Sequence, residues 1–465
     1  MKQEVDKKTA LIVGLGASGL ACAHHLGRRG WKIRAADTRE APAGAQRLGA
    51  EMPDAEIRTG GLPESLLDGV SLVVMSPGLS TRFGAAAPLV ASARARDIEV
   101  VGEIELFARA LADLEARTGY RPVVIGVTGT NGKTTTTSMV SEILLHAGTD
   151  PTLSIGGMLK SIGGNIRVGS TDLFVTEACE YTNSFLSFFP RIGMILNIEE
   201  DHLDFFKDLE DIRNSFHKFA KLLPADGCLI INGAIDRLQE ITGDLDCRVI
   251  TFNKEAVNSD GSAADYYPSD ITFDEFGHPS FTLHRHGEVS GSFSLQVPGE
   301  HNVCNAIASI ALADLLKIDR EVTASALHGF TGTDRRFEYK GTIGGVTIVD
   351  DYAHHPTEIA ATLHAAANYP HKTLWCVFQP HTYTRTKAFM KDFAKALSLA
   401  DKVVLADIYA ARETDTLGIS SETLQTEIRA LGHECYYFPS FDEIENFLLE
   451  NCINGDLLIT MGAGD

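Results

Sequence analysis

No two cysteines in the chain stand at C-x-x-C spacing. The eight that occur are scattered at positions 22, 179, 228, 247, 304, 376, 435 and 452. That excludes a zinc ribbon and a thioredoxin-type redox motif, and scattered thiols in a large chain fit a reducing cytosol. Positive charge is also short. Lys and Arg number 41 against 62 Asp and Glu, for a formal net charge of -21. Such a balance argues against a broad electrostatic grip on nucleic acid or an anionic membrane. It leaves room for a small anionic ligand in a local pocket. No stretch approaches the roughly 18 consecutive apolar residues of a membrane span. The opening "MKQEVDKKTALIVGLGASG" runs into a strand pattern with no apolar leader before it, so a cytoplasmic location is expected.

What is present is the punctuation of an α/β protein. The 465 residues suit about three domains of ~150 residues each, and the 42 glycines suit many strand-to-helix turns. Three strand-turn-helix openings divide the chain: "TALIVGLGASGLACAHHLGRRG", "RPVVIGVTGTNGKTTTTSMVSEILLHAG" and "GVTIVDDYAHHPTEIAATLHAAA". Strand and helix patterns alternate as in doubly wound parallel sheets. The spacing predicts strands at 123–127, 173–176, 192–197, 228–232 and 248–252. A small antiparallel portion is expected within 255–297, where residues alternate between apolar and polar. Boundaries are expected near 118 and 333, giving domains 1–118, 119–332 and 333–465.

Each opening carries a candidate site. In the first, Gly14, Gly16 and Gly19 are followed 18 positions later by Asp37, which fits a dinucleotide-type fingerprint. The glycines permit close approach of a diphosphate to a helix N-terminus, with Ala17 and Ser18 at that turn. Thr38 and Arg39 follow Asp37, and Ser76, Pro77 and Gly78 end a further strand. The fingerprint alone leaves NAD, FAD and a nucleotide sugar open. A bare NAD(P)-dependent oxidoreductase would give the rest of the chain's motifs no role.

The second opening contains "GVTGTNGKTTTTS", residues 126–138. It departs from the common phosphate-loop spacing, having Val127 where a glycine is usual. Gly129, Asn131 and Gly132 tolerate left-handed backbone and can turn N–H groups inward around an anion. Lys133 is suited to β- and γ-phosphate charge, and Thr134 to Mg²⁺. The threonine run is expected to satisfy free N–H groups at the helix start. Glu177 follows just after a strand, and "NIEEDHLD" places Glu199, Glu200, Asp201, His202 and Asp204 in the same way after another. Those acids are either cation ligands or merely solvated. Asn302 and Asn305 share one face of a first helical turn and either read a base or ribose or cap the helix. Arg335 and Arg336 fall at a domain boundary and reach either a γ-phosphate or a surface partner. In the third segment Asp350, Asp351, Tyr352, His354 and His355 end one strand, and His381 and Arg385 another. Two such clusters in one α/β domain are expected to converge on one crevice.

"GTNGKTTT", "NIEEDHLD", "GEHNVCNA" and "DRRFE", in that order, resemble the Mur ligases, the ATP-dependent amide-forming enzymes of peptidoglycan precursor synthesis. The resemblance covers essentially the whole chain. It implies an α/β, three-domain architecture: an N-terminal Rossmann-like UDP-binding domain, a central P-loop ATPase domain with a small antiparallel portion, and a C-terminal Rossmann-like domain. From about residue 120, "GGNIRVG", "TEACEYTNSF", "DDYAHHPTEI" and "FQPHTYTRTKAF" resemble the L-alanine-adding branch. The first ~110 residues ("VGLGASGLA", "ADTRE", "VMSPGLS") resemble the D-glutamate-adding branch, which is the alternative reading. "IRNSFHKFAK" puts Lys218 out of register with that branch's modified lysine. Thr382 stands where L-alanine-adding members often have arginine, which leaves Arg385 as the surer substrate contact.

The resemblance implies ATP and Mg²⁺ as cofactors and UDP-N-acetylmuramate and L-alanine as substrates. An acyl phosphate is the implied intermediate, and a monomer or weak homodimer the implied state. Residues 129–135 with Asn302, Asn305, Arg336 and Asp351 are implied to hold ATP. Thr134, Glu177 and His202 are implied as metal ligands, and Tyr352, His354 and Arg385 as the alanine pocket. Lys133, Glu177, His202, His354 and Arg385 carry the implied chemistry. The family usually continues past "MGAGD" into a further helix, so a missing tail is expected.

Overall fold

The computed structural model describes residues 8–76, 79, 81, 84–203, 205–411, 413 and 417–464, without the side chain of Ala17. The chain divides into two compact units, Met1–Arg121 and Pro122–Asp465. Among the described residues the first unit carries one sheet and the second two.

In the first unit the strands are β1 (Thr9–Val13), β2 (Lys32–Asp37), β3 (Glu56–Thr59), β4 (Val70–Met75) and β5 (Glu99–Gly102). They run parallel in the order β3-β2-β1-β4-β5. The central strand β1 is a short apolar run because helices cover both of its faces. Ile12 pairs with Ala35 and with Val74, and all three are buried.

The second unit opens on a mixed sheet. Its strands are β6 (Val123–Thr128), β7 (Thr152–Leu159), β8 (Gly164–Arg167), β9 (Leu173–Glu177), β10 (Ile192–Ile195), β11 (Cys228–Asn232), β12 (Arg248–Phe252), β13 (Tyr266–Phe273), β14 (Pro279–Arg285) and β15 (Glu288–Ser294). Their order is β15-β14-β13-β12-β11-β10-β6-β9-β7-β8. The antiparallel portion expected within 255–297 is β13–β15, and it extends this same sheet. The β7–β8 hairpin was not foreseen. Its strands are glycine-rich and half exposed, so they lack a clear apolar alternation.

The last sheet is β16 (Glu338–Ile343), β17 (Val346–Asp351), β18 (Leu374–Phe378), β19 (Lys402–Leu405), β20 (Glu434–Tyr437) and β21 (Leu457–Met461). Its order is β16-β17-β21-β18-β19-β20, with β16 antiparallel and the others parallel. Buried Leu374, Cys376 and Phe378 face the helix residues Phe393 and Leu397 across one layer of its core. The carboxyl ends of β6, β9, β10, β17 and β18 carry the candidate residues, the edge at which α/β sheets bind ligands. No helix among the described residues is long and apolar enough to cross a membrane.

Candidate active site

In the first unit the turn after β1 is built by glycine. A Cβ on Gly19 would fall 1.9 Å from the Gly14 carbonyl oxygen, and one on Gly14 (φ +97°) 2.6 Å from Ser76 Cβ. Gly16, by contrast, faces open space, with nothing within 4 Å of an added Cβ. Helix Ala17–Arg28 begins there with its first N–H groups uncapped by any side chain. Asp37 is buried and accepts from Leu15 N at 2.8 Å and from Arg39 through Nε at 2.9 Å and Nη2 at 2.8 Å. Burial alone would raise this carboxyl, but the Arg39 bonds and two backbone N–H groups hold it at about 2. Asp37 and Arg39 thus satisfy each other first, while the Arg39 side chain stays 62% exposed. Thr38 lies beside them half-buried. Pro77 and Gly78 lie outside the described residues.

In the second unit β6 ends at Thr128 and the chain turns through Gly129 (φ +142°) and Gly132 (φ +84°) into helix Lys133–His146. Only glycine takes these conformations without strain. Gly132 also has no room, since a Cβ there would sit 2.7 Å from Asn305 Oδ1. The loop is held from behind by Asn197, which accepts from Asn131 N at 2.7 Å and donates to Asn131 O at 3.0 Å. Glu199 accepts from Asn131 Nδ2 at 3.2 Å.

Lys133 donates to Gly129 O at 2.5 Å and Thr130 O at 2.9 Å, and its ammonium is 3.1 Å from Glu180 Oε2. Burial would lower the lysine, but the charge of Glu180 outweighs it and keeps Lys133 firmly cationic. Thr134 donates to Glu177 Oε2 at 3.2 Å, and Glu177 Oε1 accepts from Gly156 N at 2.5 Å. Burial raises the Glu177 carboxyl.

The expectation that the threonine run caps the helix is corrected. The cap residue is Gly132, with no side-chain cap, and the hydroxyls of Thr136 and Thr137 are buried without a partner. Both residues are fully buried. Thr135 instead lines the cavity described below.

Among the described residues no three His, Cys, Asp or Glu side chains converge closely enough to hold a metal ion. The donor set of Thr134 hydroxyl and Glu177 carboxylate fits a hard cation that takes its remaining ligands from phosphate and water. Glu177 is kept open by Gly156, where any Cβ would fall 2.5 Å from its Oε2. His202 (φ +51°) packs its ring 4.5 Å from Tyr181, with Nε2 3.9 Å from Glu180 Oε1. Burial lowers the His202 imidazole, against the opposing charges of Asp201 and Glu180.

A cavity of about 300 Å³ adjoins the loop. Asn131, Gly132, Thr135, Asn302 and Asn305 line one side, and Arg336, Asp351 and Glu358 the other. Asn305 Nδ2 donates to Asn302 Oδ1 at 3.0 Å, and Asn302 Nδ2 to Pro298 O at 2.8 Å. The asparagines are therefore one fixed pair facing a cavity, and neither is the cap of helix His301–Leu315. Asp351 accepts from Phe337 N and Ala353 N, both at 2.7 Å, and burial raises it to about 6.

The two C-terminal clusters converge. Tyr352 and His354 rings are 5.3 Å apart, and His354 and His381 5.9 Å. Arg385 Nη1 lies 3.2 Å from His381 Nδ1. Arg385 also reaches across to Asp201, and His355 Nε2 is 2.9 Å from Glu200 O. Asp201 is therefore a buried partner, and the alternative of a solvated acid is corrected. Arg335 and Arg336 separate. Arg335 bonds Asp350 Oδ2 and the carbonyls of Gly462 and Gly464, whereas Arg336 lines the cavity. Lys218 is exposed on helix Leu209–Ala220. Asp204 lies outside the described residues.

Sequence reading missed Asn197, Glu180 and Glu358. Glu180 stands in the same segment as Glu177, and Glu358 lies three residues past the N-cap His355, the spacing of a capping box.

Among the described residues the fold is α/β with three sheets, and the glycine loop with Lys133 and Thr134 has the chemistry of a phosphate-binding site. Residues 8–102 match the Mur ligase MurD-like N-terminal domain, 127–313 the Mur ligase middle domain, and 335–464 the domain described as Mur ligase, glutamate ligase domain. The chain belongs to the Mur ligase family and has its three-domain architecture. A UDP-N-acetylmuramate–L-alanine ligase of Lachnospira eligens is 60% identical over 341 residues, 73% of this chain and of that protein. One from Agathobacter rectalis is 49% identical over 454 residues, 98% of this chain and 94% of that protein. The crystal structure of UDP-N-acetylmuramate-alanine ligase MurC from Thermotoga maritima matches with a TM-score of 0.72 at 26% identity, covering 98% of this chain and 96% of that one.

Proposed function

We propose that the chain joins L-alanine to UDP-N-acetylmuramate at the expense of ATP, releasing ADP and phosphate, in the cytoplasm. The observation that carries this reading is the meeting of two groups within one compact unit. The phosphate loop with Lys133, Thr134 and Glu177 is joined through Asp201–Arg385 to the cluster of Tyr352, His354 and His381. The names borne by relatives up to 60% identical support the substrate pair. A MurF ligase of Thermotoga maritima solved with ADP shares the fold. The D-glutamate alternative rests on the first domain, yet the relative aligned over 98% of the chain bears the L-alanine name. The eight free thiols accord with a reducing compartment.

In this reading a carboxylate oxygen of UDP-N-acetylmuramate attacks the γ-phosphorus and the bond to the β-phosphate bridge breaks. The amine of L-alanine then attacks the acyl carbon, the carbon–oxygen bond to phosphate breaks, and the amine gives up a proton. Two anions meet in the first step, so fixed positive charge is the main requirement. Lys133 supplies it at the loop and Arg336 from the opposite wall. Asn302 and Asn305 orient the nucleoside, and Arg385 with Tyr352 and His354 receives the amino acid. Thr134 and Glu177 would hold Mg²⁺ near the β- and γ-phosphates and His202 a second ion near the carboxylate, which would supply further charge neutralisation. Gly16, Ala17, Ser18 and the Asp37–Arg39 pair take the UDP end, with Ser76 beside Gly14 at the same turn.

The test is phosphate release with ATP, Mg²⁺ and UDP-N-acetylmuramate. Release that depends on L-alanine is expected. Release only with D-glutamate and the alanylated acceptor would reverse the substrate assignment.

A further inference from the structure

Glu358 is the third residue of helix Pro356–Ala367, and its carboxylate serves two directions. Oε2 accepts from the backbone N–H of His354 at 3.1 Å and of His355 at 3.3 Å, and lies 3.3 Å from His354 Nδ1. Oε1 lies 3.6 Å from Arg336 Nη1. The side chain is 13% exposed and lines the cavity of about 300 Å³. A helix cap needs one acceptor oxygen, and Oε2 alone meets that need. Oε1 is left for Arg336, whose guanidinium also stands 5.3 Å from the Tyr352 ring centre.

The surroundings of His354 give the charge a second use. Its Nδ1 faces two acceptors, Tyr352 O at 3.0 Å and Glu358 Oε2 at 3.3 Å. A nitrogen between two acceptors carries the proton, so Nε2 is the nitrogen with the free lone pair. A carboxylate behind Nδ1–H holds that tautomer, and it stabilises the imidazolium formed if Nε2 takes a proton.

We infer that Glu358 is a positioning residue that ties the nucleotide cavity to the amino-acid-binding side chains, fixing Arg336 with one oxygen and the orientation and tautomer of His354 with the other. This inference rests on the ligase reading above.

Glu358→Gln tests it, because the amide oxygen still accepts the capping N–H bonds while the charge is lost. The expected result is a fall in kcat of about tenfold. KM for L-alanine and for ATP should both rise severalfold, and KM for UDP-N-acetylmuramate should stay within about twofold. Unfolding temperature should move by no more than about 2 °C. Combined with Arg336→Lys, the loss should be no greater than that of the worse single variant, as for residues acting together. Constants within about twofold of wild type, or losses that add fully, would overturn the inference and leave Glu358 a helix cap. If Glu358→Gln does not fold, Glu358→Asp keeps the charge but withdraws it by one methylene. It should lose kcat and raise both KM values, and wild-type constants in it overturn the inference equally. Calorimetric titration with ADP separates this failure from that of the ligase reading. A wild type without L-alanine-dependent phosphate release would sink the ligase reading, whereas unchanged ADP affinity in Glu358→Gln would sink the tie to Arg336.

Discussion

Arg385 donates to Asp201 Oδ1 through Nη2 at 2.7 Å and through Nε at 3.2 Å, with both side chains 9% exposed. Burial alone would raise the Asp201 carboxyl, but the charges of His202 and Arg385 bring it far below the usual carboxylate range. The pair links the loop after β10 to the short helix Tyr383–Ala388, and so joins the two sheets of the second unit. Removing one partner of such a pair leaves an uncompensated charge and costs about 3 kcal/mol. Asp201→Asn and Arg385→Ala are each expected to lower unfolding stability by roughly that amount. The double variant should lose clearly less than the sum, because the orphan charge is gone. Denaturant titration of the four proteins checks this, and full additivity would deny the coupling.

Lys133 is the cation around which the phosphate loop is organised. Lys133→Ala is expected to reduce L-alanine-dependent phosphate release by about 10³-fold, the scale of losing a group that stabilises developing charge. Glu180 then loses its partner at 3.1 Å and is left as a buried acid without a cation beside it. Phosphate-release kinetics at saturating ATP measures the first effect. Activity within tenfold of wild type would mean that another group neutralises the phosphates.

The order of elements and the loop positions were legible because they depend on local chemistry. Helix Lys133–His146 begins at the lysine where the glycines stop. β9 and β11 fall where apolar runs end in Glu177 and Asn232. What was not legible were contacts set by packing. Asp201 looked like one acid among several in "NIEEDHLD", and only the approach of Arg385, 184 residues away, makes it a buried partner. The threonine run carried the same local signal as a cap, but burial leaves the hydroxyls of Thr136 and Thr137 without a partner. Asn197 escaped notice because an asparagine just past a strand end is ordinary until the loop it clamps is in view.

Gly156 is the residue that keeps Glu177 usable. Its N–H donates to Oε1, and a Cβ there would fall 2.5 Å from Oε2 and 2.9 Å from the carboxyl carbon. Gly156→Ala should push Glu177 away from Thr134 and raise the Mg²⁺ concentration for half-maximal activity several-fold, with a smaller effect on the KM for L-alanine. An Mg²⁺ titration of activity checks it. A variant with the wild-type Mg²⁺ requirement would show that Glu177 does not hold the cation.

Stability should also depend on pH in a way that His354 and Asp351 drive in opposite directions. Burial takes His354 from its ordinary 6.5 down to about 4, although Glu358 opposes the shift. The unfolded chain therefore binds a proton that the folded chain refuses, so this contribution is present above 6.5 and lost as pH falls toward 4. His202 is lowered too and acts in the same sense. Burial takes Asp351 from 3.8 up to about 6, which gives a contribution present below 3.8 and lost as pH rises through 6. The groups around His354 are Glu358, Asp201, Arg385 and His381. The two acids among them are lowered, so their own losses come below about pH 4.5 and 3.8. His301 and His25 are lowered as well, and Glu177 is raised like Asp351, so four histidines against two acids leave stability rising with pH between about 4 and 6.5 in the wild type. His354→Asn should flatten that rise and Asp351→Asn should steepen it. Denaturant midpoints measured at half-unit steps across the window decide the matter. A His354→Asn curve parallel to the wild type would mean that this imidazole titrates alike in the folded and unfolded chain.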